Sequence, residues 1–349
     1  MPLAEKSHQA PELVRGDVGK LRGDGTKRQN DEKDGLVPSL FVYAPRMSRS
    51  SDNSGGSPLV SVLMPVRGCR DTLPIAVASV MAQTWDDWEL LVVRDDDAWG
   101  LEWLERMGDK RVRILQSSGP GGRGAARQAG LDAARGELLA FLDADDWMLP
   151  ERLGHQVGVL RANPDLALVS AGMFVLDRSE FPAGLRKLNR DSGKPRIAGD
   201  RIVDAPVLSA SSMLRTATAR RVAYDVDFSS GEDADFLVRY LRGRSYMQES
   251  IPLYCYREYA SFSVGGLRRG LRAERRRRVK HATGTAARAA CWVRWGFKRV
   301  VYELAIAGRG EDFVLQRRCT PVSADQRAAW ASGREKVIEC LQDIQGEMD

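Results

Sequence analysis

The sequence predicts an α/β protein built on a mainly parallel sheet covered by helices on both faces. Three observations carry this. Short apolar runs alternate with amphipathic segments from Leu59 onward, the alternation recurs at strand-helix spacing, and two of the runs end abruptly in clusters of aspartate.

The first run is Val60-Ser61-Val62-Leu63-Met64, and Asp71 to Gln83 then places Leu73, Val77, Val80 and Met81 at helical spacing. A second strand, Glu89 to Val93, is followed by a helix around Leu101 to Met107, and a third, Val112 to Leu115, by a helix over Ala125 to Ala134. The fourth strand, Leu138 to Leu142, runs straight into Asp143-Ala144-Asp145-Asp146, and Pro150 opens a helix that continues through Leu160. Leu166 to Val175 is a fifth strand. Beyond it the rhythm loosens, leaving a strand at Ser209 to Leu214, a helix at Glu232 to Leu241 and a strand near Met247 to Tyr256. Parallel sheets of this kind bind ligands at the carboxyl ends of their strands, so the polar residues there are the candidates for chemistry.

Composition limits the alternatives. A chain of 349 residues has room for about two domains at roughly 150 residues each. With 43% hydrophobic and 29% charged residues it is neither wholly disordered nor collagenous. The net charge of +6 only weakly favours anionic partners. Five cysteines, odd in number and never in a C-x-x-C pair, argue against a disulfide framework or a cysteine zinc site and point to a reducing cytoplasm. Residues 1–57, rich in charged residues, Ser and Gly, read as a disordered leader with neither a secretory signal nor an anchor. No apolar run approaches the ~18 residues that span a bilayer.

Arg94-Asp95-Asp96-Asp97 closes the second strand and Asp143-Ala144-Asp145-Asp146 the fourth. Two acidic clusters at one sheet edge repel each other unless cations or hydrogen-bond donors compensate them, which suggests a metal or a polyol. Carboxylates one residue apart offer the hard oxygen ligands that Mg2+ or Mn2+ takes when it also holds phosphates. An isolated acidic pair would more often be a solvated turn; here a buried run of β-formers leads directly into the acids. Gly119-Pro120-Gly121-Gly122-Arg123-Gly124 satisfies G-x-G-x-x-G. It follows the third strand rather than the first, so a mobile loop carrying Arg123 toward a diphosphate is more economical than a dinucleotide turn. Three histidines, His8, His155 and His281, never pair at metal spacing, and Trp147 reads either as core packing or as a platform for a sugar ring.

Taken together, residues 59 to about 260 resemble a family 2 glycosyltransferase of the GT-A, Rossmann-like fold. The resemblance rests on Val60 to Val66, Ala82-Gln83-Thr84-Trp85-Asp86-Asp87-Trp88-Glu89-Leu90, the Ala-Ala-Arg-Gln-Ala-Gly stretch from Ala125, Gly136 to Asp146, and Gly231-Glu232-Asp233. It implies an inverting, metal-dependent transfer of a sugar from a nucleoside diphosphate donor, UDP-linked, to a hydroxyl acceptor in glycan or glycolipid synthesis. Pro65, Val66 and Arg67 would border the base, with Asp95 and its neighbour Asp96 beside it and Arg123 near the base or phosphates. Asp143 would contact ribose or sugar hydroxyls and join Asp145 in holding Mn2+ or Mg2+. Asp233 would be the general base; its bland reading is a helix-opening carboxylate. Arg67 stands where the family commonly has an aromatic residue, and Arg94 replaces the first acid of the usual pair. Tyr256 to Ser263 resembles the segment that often supplies a metal-binding His, but it holds none, with Tyr259 nearest to that place; the metal would rely on Asp145 and the diphosphate, or on Glu258. The absence of a Q-x-x-R-W motif, which Gln316-Arg317-Arg318-Cys319 does not match, implies non-processive transfer.

The expected domains are therefore a catalytic domain at 58–264 and a basic helical region at 265–349. In the latter, Ala286, Ala290, Val293, Phe297, Val300, Val301 and Leu304 follow helical spacing among many arginines. Packing on the catalytic domain, attachment to an anionic membrane surface at its cytoplasmic face, and nucleic-acid binding compete, the last disfavoured because no nucleic-acid module accompanies the charge. The alternatives to catalysis are a sugar-nucleotide-binding protein without turnover and a protein that acts through this basic tail.

Overall fold

The runs at 60–66, 88–93 and 138–142 consist mostly of β-branched or large apolar residues, too continuous to face water on either side. In the computed structural model, which describes residues 59–95, 101–117, 121–188 and 192–346, these runs form the centre of a single mixed sheet. The leader expected at 1–57 lies outside the described residues.

The first half of the chain follows the predicted rhythm: β1 (Val60–Val66), α1 (Leu73–Met81), β2 (Trp88–Arg94), α2 (Glu102–Arg106), β3 (Val112–Gln116), α3 (Arg123–Ala133), β4 (Leu138–Phe141), β5 (Trp147–Met148), α4 (Arg152–Ala162) and β6 (Leu166–Leu176). The second half adds β7 (Pro182–Arg186), β8 (Arg196–Ile197), β9 (Ser212–Arg215), α5 (Thr216–Ala219), α6 (Glu232–Leu241), β10 (Ser245–Tyr256), α7 (Glu258–Ser261), α8 (Val264–His281), α9 (Thr285–Gln316), β11 (Cys319–Thr320) and α10 (Ala324–Gly346).

The strand order is β11-β7-β6-β9-β4-β1-β2-β3, with β10 beside β6. Strands β4, β1, β2 and β3 are mutually parallel, Val60 lying between Trp88 and Leu138. Their carboxyl ends at Val66, Arg94 and Phe141 therefore share one edge of the sheet. Strand β9 enters antiparallel between β4 and β6, so the parallel arrangement ends where the small-residue strand was predicted.

Two close approaches hold this core in register. Gly136 precedes β4 so tightly against β1 that a Cβ there would lie 2.5 Å from the Ser61 nitrogen, which only glycine permits. Its N–H donates to the Ser61 hydroxyl, which in turn donates to buried Glu89 at 2.6 Å. Near the other end of β4, wholly buried Arg152 donates to the Phe141 carbonyl at 2.9 Å and has no carboxylate partner among the described residues. Burial lowers its pKa to about 10.

The region expected at 265–349 contains two elements that complete the main unit. Strand β11 extends the sheet beside β7, and α10 buries Trp330, Val337 and Ile344 in the cluster that includes Ala78 and Trp147. Trp147 is accordingly core, its ring centroid 6.3 Å from that of Trp330, and the sugar-platform reading does not apply. Between them, α8 and α9 form a basic hairpin, with α9 kinked at Gly310. No helix among the described residues is long and apolar enough to cross a membrane, and all five cysteines are free thiols.

Candidate functional site

The carboxyl ends of β1, β2 and β4 open into a cleft of about 470 Å³. Pro65, Val66, Arg67, Asp95, Arg123, Asp143 and Asp145, seven of the residues singled out in the sequence, line it together. Asp96 lies outside the described residues. Asp233 is partly buried in the first turn of α6 and is not among the residues lining the cleft.

Asp95 leaves β2 with its side chain almost wholly buried. One carboxylate oxygen accepts from the Gly122 backbone N–H and the other from Arg67 at 3.5 Å. The turn that brings Gly122 there needs φ of +100°, a left-handed value that explains a glycine immediately before Arg123. Gly121 and Gly122 thus lie against the end of β2 and lead into α3 at the cleft, with Arg123 exposed in its first turn.

The second acidic cluster divides into three roles. Asp146 is fully buried and structural: Tyr254 donates to it at 2.7 Å and the Arg257 backbone N–H at 2.9 Å, tying the end of β4 to β10. Burial first, then Asp145 and Asp143, pushes its carboxyl well above the usual range. Asp143 accepts from Arg127 at 2.7 Å. Asp145 faces the cleft, and burial together with the Asp143 charge raises its pKa although Arg123 and Arg257 oppose the rise. It is a carboxylate with too little positive charge around it. A divalent ion fits such a donor set, because it would supply the compensation that the protein side chains leave incomplete.

Glu258 does not fit that role. Its two oxygens are taken by Arg186 at 2.7 Å and Arg318 at 2.9 Å, and it is buried between β7 and the end of α9. Tyr259 is likewise buried, against Val175 and Leu315. Among the described residues no group of three His, Cys, Asp or Glu side chains converges at metal spacing, so the cation would share its coordination between Asp143, Asp145 and a ligand.

Sequence reasoning missed Arg127. One turn after Arg123 on α3, it is buried and binds both Asp143 and Glu232. Burial alone would favour the neutral guanidine, but the Asp143, Glu232 and Asp233 charges outweigh it and push the pKa up. Its signal was its spacing of four from Arg123, on a helix whose other facing residues are small. The opposite wall was missed too: Ser229, Ser230, Ser263, Gly266 and Arg269 line the cleft, so the start of α8 belongs to the site. Ser263 caps that helix by accepting from the Gly266 N–H at 3.0 Å.

The family Glycosyl transferase family 2 matches residues 61–216, which hold β1 through β9 and most of the cleft's acidic wall. The chain is 33% identical over 106 residues, 30% of its length, to the UDP-Glc:alpha-D-GlcNAc-diphosphoundecaprenol beta-1,3-glucosyltransferase WfgD of Escherichia coli. That match spans 42% of the relative, and a second E. coli glucosyltransferase, WfaP, is covered over 40% of its length, so the chain spans less than half of either. An uncharacterized glycosyltransferase of Methanocaldococcus jannaschii is 28% identical over 192 residues, 52% of this chain and 64% of the relative. Among solved structures, the mannosyltransferase PcManGT of Pyrobaculum calidifontis shares the fold, with a TM-score of 0.50 and 14% identity over 84% of this chain and 89% of that one.

Proposed function

From the family 2 glycosyltransferase domain formed by residues 61–216, we propose that the chain transfers a sugar from a nucleoside diphosphate sugar, UDP-linked, to a hydroxyl acceptor with inversion at the sugar carbon. One observation carries this reading: the acids that end separate parallel strands, Asp95 on one side and Asp143 and Asp145 on the other, line a single cleft with Arg123. WfgD is named for a UDP-Glc donor and a diphosphoundecaprenol-linked acceptor, and PcManGT was solved with GDP-Man and Mn2+, which supports a donor and an ion of these classes.

The chain's own residues divide the work. Asp95, fixed by Gly122 and Arg67, presents an acceptor to the N–H edge of the base. Arg123 and the amino end of α8 bring positive charge to the diphosphate. Asp143 and Asp145 would hold Mn2+ or Mg2+, which when bound neutralises charge on the departing nucleoside diphosphate. Arg127 fixes Asp143. Asp233, in the same turn as Glu232 but without an ion-pair partner among the described residues, takes the proton from the attacking hydroxyl. No covalent intermediate is needed, since a single displacement inverts the centre.

The apolar face of α9 adds a location. Val293, Phe297, Val300 and Leu304 recur at spacings of four and three and are all exposed. They lie within a hairpin that carries twelve Lys and Arg but only two acids of its own, Glu274 and Glu303, between Val264 and Leu304. An anionic membrane surface complements both features, and would place the enzyme beside lipid-linked acceptors.

Calorimetry with UDP, with and without Mn2+, tests the assignment on wild type, Asp145→Asn and Asp233→Asn. Wild type should bind UDP more tightly with Mn2+. Asp145→Asn should lose that enhancement yet be at least as stable without metal, because it removes an undercompensated buried charge. Asp233→Asn should keep UDP binding and lose transfer. Undiminished Mn2+ enhancement in Asp145→Asn would overturn the reading.

A further inference from the structure

A second cleft, of about 450 Å³, adjoins the donor cleft and shares Ser229, Ser230 and Arg269 with it. Its far wall is α8, which contributes Arg269, Arg272, Arg275 and Arg276. The spacing of Arg269, Arg272 and Arg276 puts them on one stripe of the helix, with Arg275 at its edge.

The basic residues of α8 fall into two sets. Arg268 pairs with Glu303 at 2.6 Å, Arg277 and Arg278 with Asp204, and Lys280 with Asp225 at 2.7 Å and Asp235 at 3.0 Å. None of the four cleft arginines has a carboxylate partner among the described residues. Arg276 spends one N–H on the Asp227 carbonyl at 2.7 Å. Arg275 is stacked on Trp292, 3.8 Å from the ring centroid, and 4.6 Å from that of Trp295, so its position is set by packing rather than by a counter-charge. Four guanidinium groups gathered on one wall, facing two serine hydroxyls, repel each other until an anion joins them.

We propose that this cleft is the acceptor subsite and that it binds a phosphate or diphosphate group on the acceptor. Adjacency gives the role: a ligand seated on Arg272 and Arg276 meets the donor across Ser229 and Ser230. Trp292 lines the same cleft and continues outward into the exposed Val293 and Phe297, so an apolar chain leaving the phosphate has a surface to follow. The acceptor role rests on the donor-cleft reading above, whereas the anion binding does not.

The test uses the full chain saturated with UDP at fixed free Mn2+, titrated calorimetrically with farnesyl diphosphate and separately with inorganic pyrophosphate. The variant is Arg272→Ala/Arg276→Ala, two exposed positions that do not line the donor cleft. Farnesyl diphosphate should bind the UDP-saturated wild type and bind the double variant about tenfold more weakly, two charged hydrogen-bonding groups having been removed. The affinity for UDP should not change, which also shows that the variant is folded. Tighter binding of farnesyl diphosphate than of pyrophosphate assigns a lipid-borne group; equal binding assigns a water-soluble phosphorylated acceptor. Unaltered binding in the double variant, or one-for-one displacement of the ligand by UDP, would overturn the proposal. Failure of wild type to bind UDP at all would instead count against the donor reading, and the titrations without UDP would still report on the arginine cleft.

Discussion

Arg127 of α3 donates to Asp143 across 2.7 Å and binds Glu232 with its other arm, so one buried guanidinium joins the end of β4 to the start of α6. The candidate metal ligand and the candidate base are thereby positioned by the same side chain, Asp233 being the next residue after Glu232. A cation at this point holds together two carboxylates that would otherwise repel.

Replacing Arg127 with Met should therefore cost both stability and site geometry. Glu232 would be left buried without its counter-charge, and breaking a buried pair from one side costs about 3–5 kcal/mol. Urea denaturation of the metal-free protein should show a loss in that range, and Arg127→Lys, which keeps the charge but not the fork, should recover only part of it. A loss under about 1 kcal/mol for Arg127→Met, no more than an exposed pair is worth, would show that the pair carries no such burden.

Much of this was legible in the residues, for identifiable reasons. The runs Val60 to Met64, Glu89 to Val93 and Leu138 to Leu142 are buried on both faces, which makes a parallel strand unmistakable, and the abrupt change to Asp at 95 and 143 marks the ligand edge. Helix α6 was found at its true limits because Gly231 and the acids after it form a clear start. What could not be read was any relation across long separations. The contact of α10 with Trp147 depends on Trp330, nearly two hundred residues away, and local periodicity contains nothing about it. The polar role of Glu258 was misjudged likewise, because Arg186 and Arg318, which occupy its oxygens, come from remote elements. Arg269 read as part of a tail because its run of arginines dominates the local composition, while its placement at the cleft follows from the turn at Ser263.

Acid should loosen the docking of α8 on α6. Wholly buried Asp235 accepts from His281 Nε2 at 2.8 Å, from Lys280 at 3.0 Å and from Arg239 at 2.8 Å, with Asp225 nearby on Lys280. Burial would raise its carboxyl, but the hydrogen bonds from Lys280 and His281 outweigh burial and hold it below the usual range. Arg242 donates to His281 Nδ1 at 2.7 Å; a guanidinium only donates, so Nδ1 is bare and the ring is neutral. Burial lowers the pKa of His281, Asp235 opposing. Both groups then work in the same direction. The unfolded chain takes up a proton at His281 near pH ~6.5 and at Asp235 near pH ~3.9, each before the folded chain does. Stability should be full above pH ~6.5, decline as pH falls through that value, and decline again below ~3.9. Tm against pH for wild type and His281→Gln checks this: the variant should lose the upper decline and keep the lower one, and parallel curves would remove His281 from the account.

The exposed face of α9 gives the remaining prediction. Phe297 is 72% and Leu304 67% exposed, large apolar side chains that a folded chain rarely presents in a row without a partner phase. A second copy of the same hairpin is a poor partner, since it would bring two strongly cationic surfaces together. Anionic lipid meets both requirements, the acyl boundary taking Phe297 and Leu304 and the headgroups taking the arginines, each worth about 1 kcal/mol near such a surface. Vesicles with phosphatidylglycerol should therefore sediment the protein and pure phosphatidylcholine vesicles should not. Raising salt should weaken the binding without abolishing it, because only the charge contribution is screened. Phe297→Asp/Leu304→Asp should abolish the binding to phosphatidylglycerol while leaving UDP affinity unchanged, since neither residue lines the donor cleft. Retention of vesicle binding by that variant would leave electrostatics alone as its cause and remove the apolar face of α9 from any membrane role.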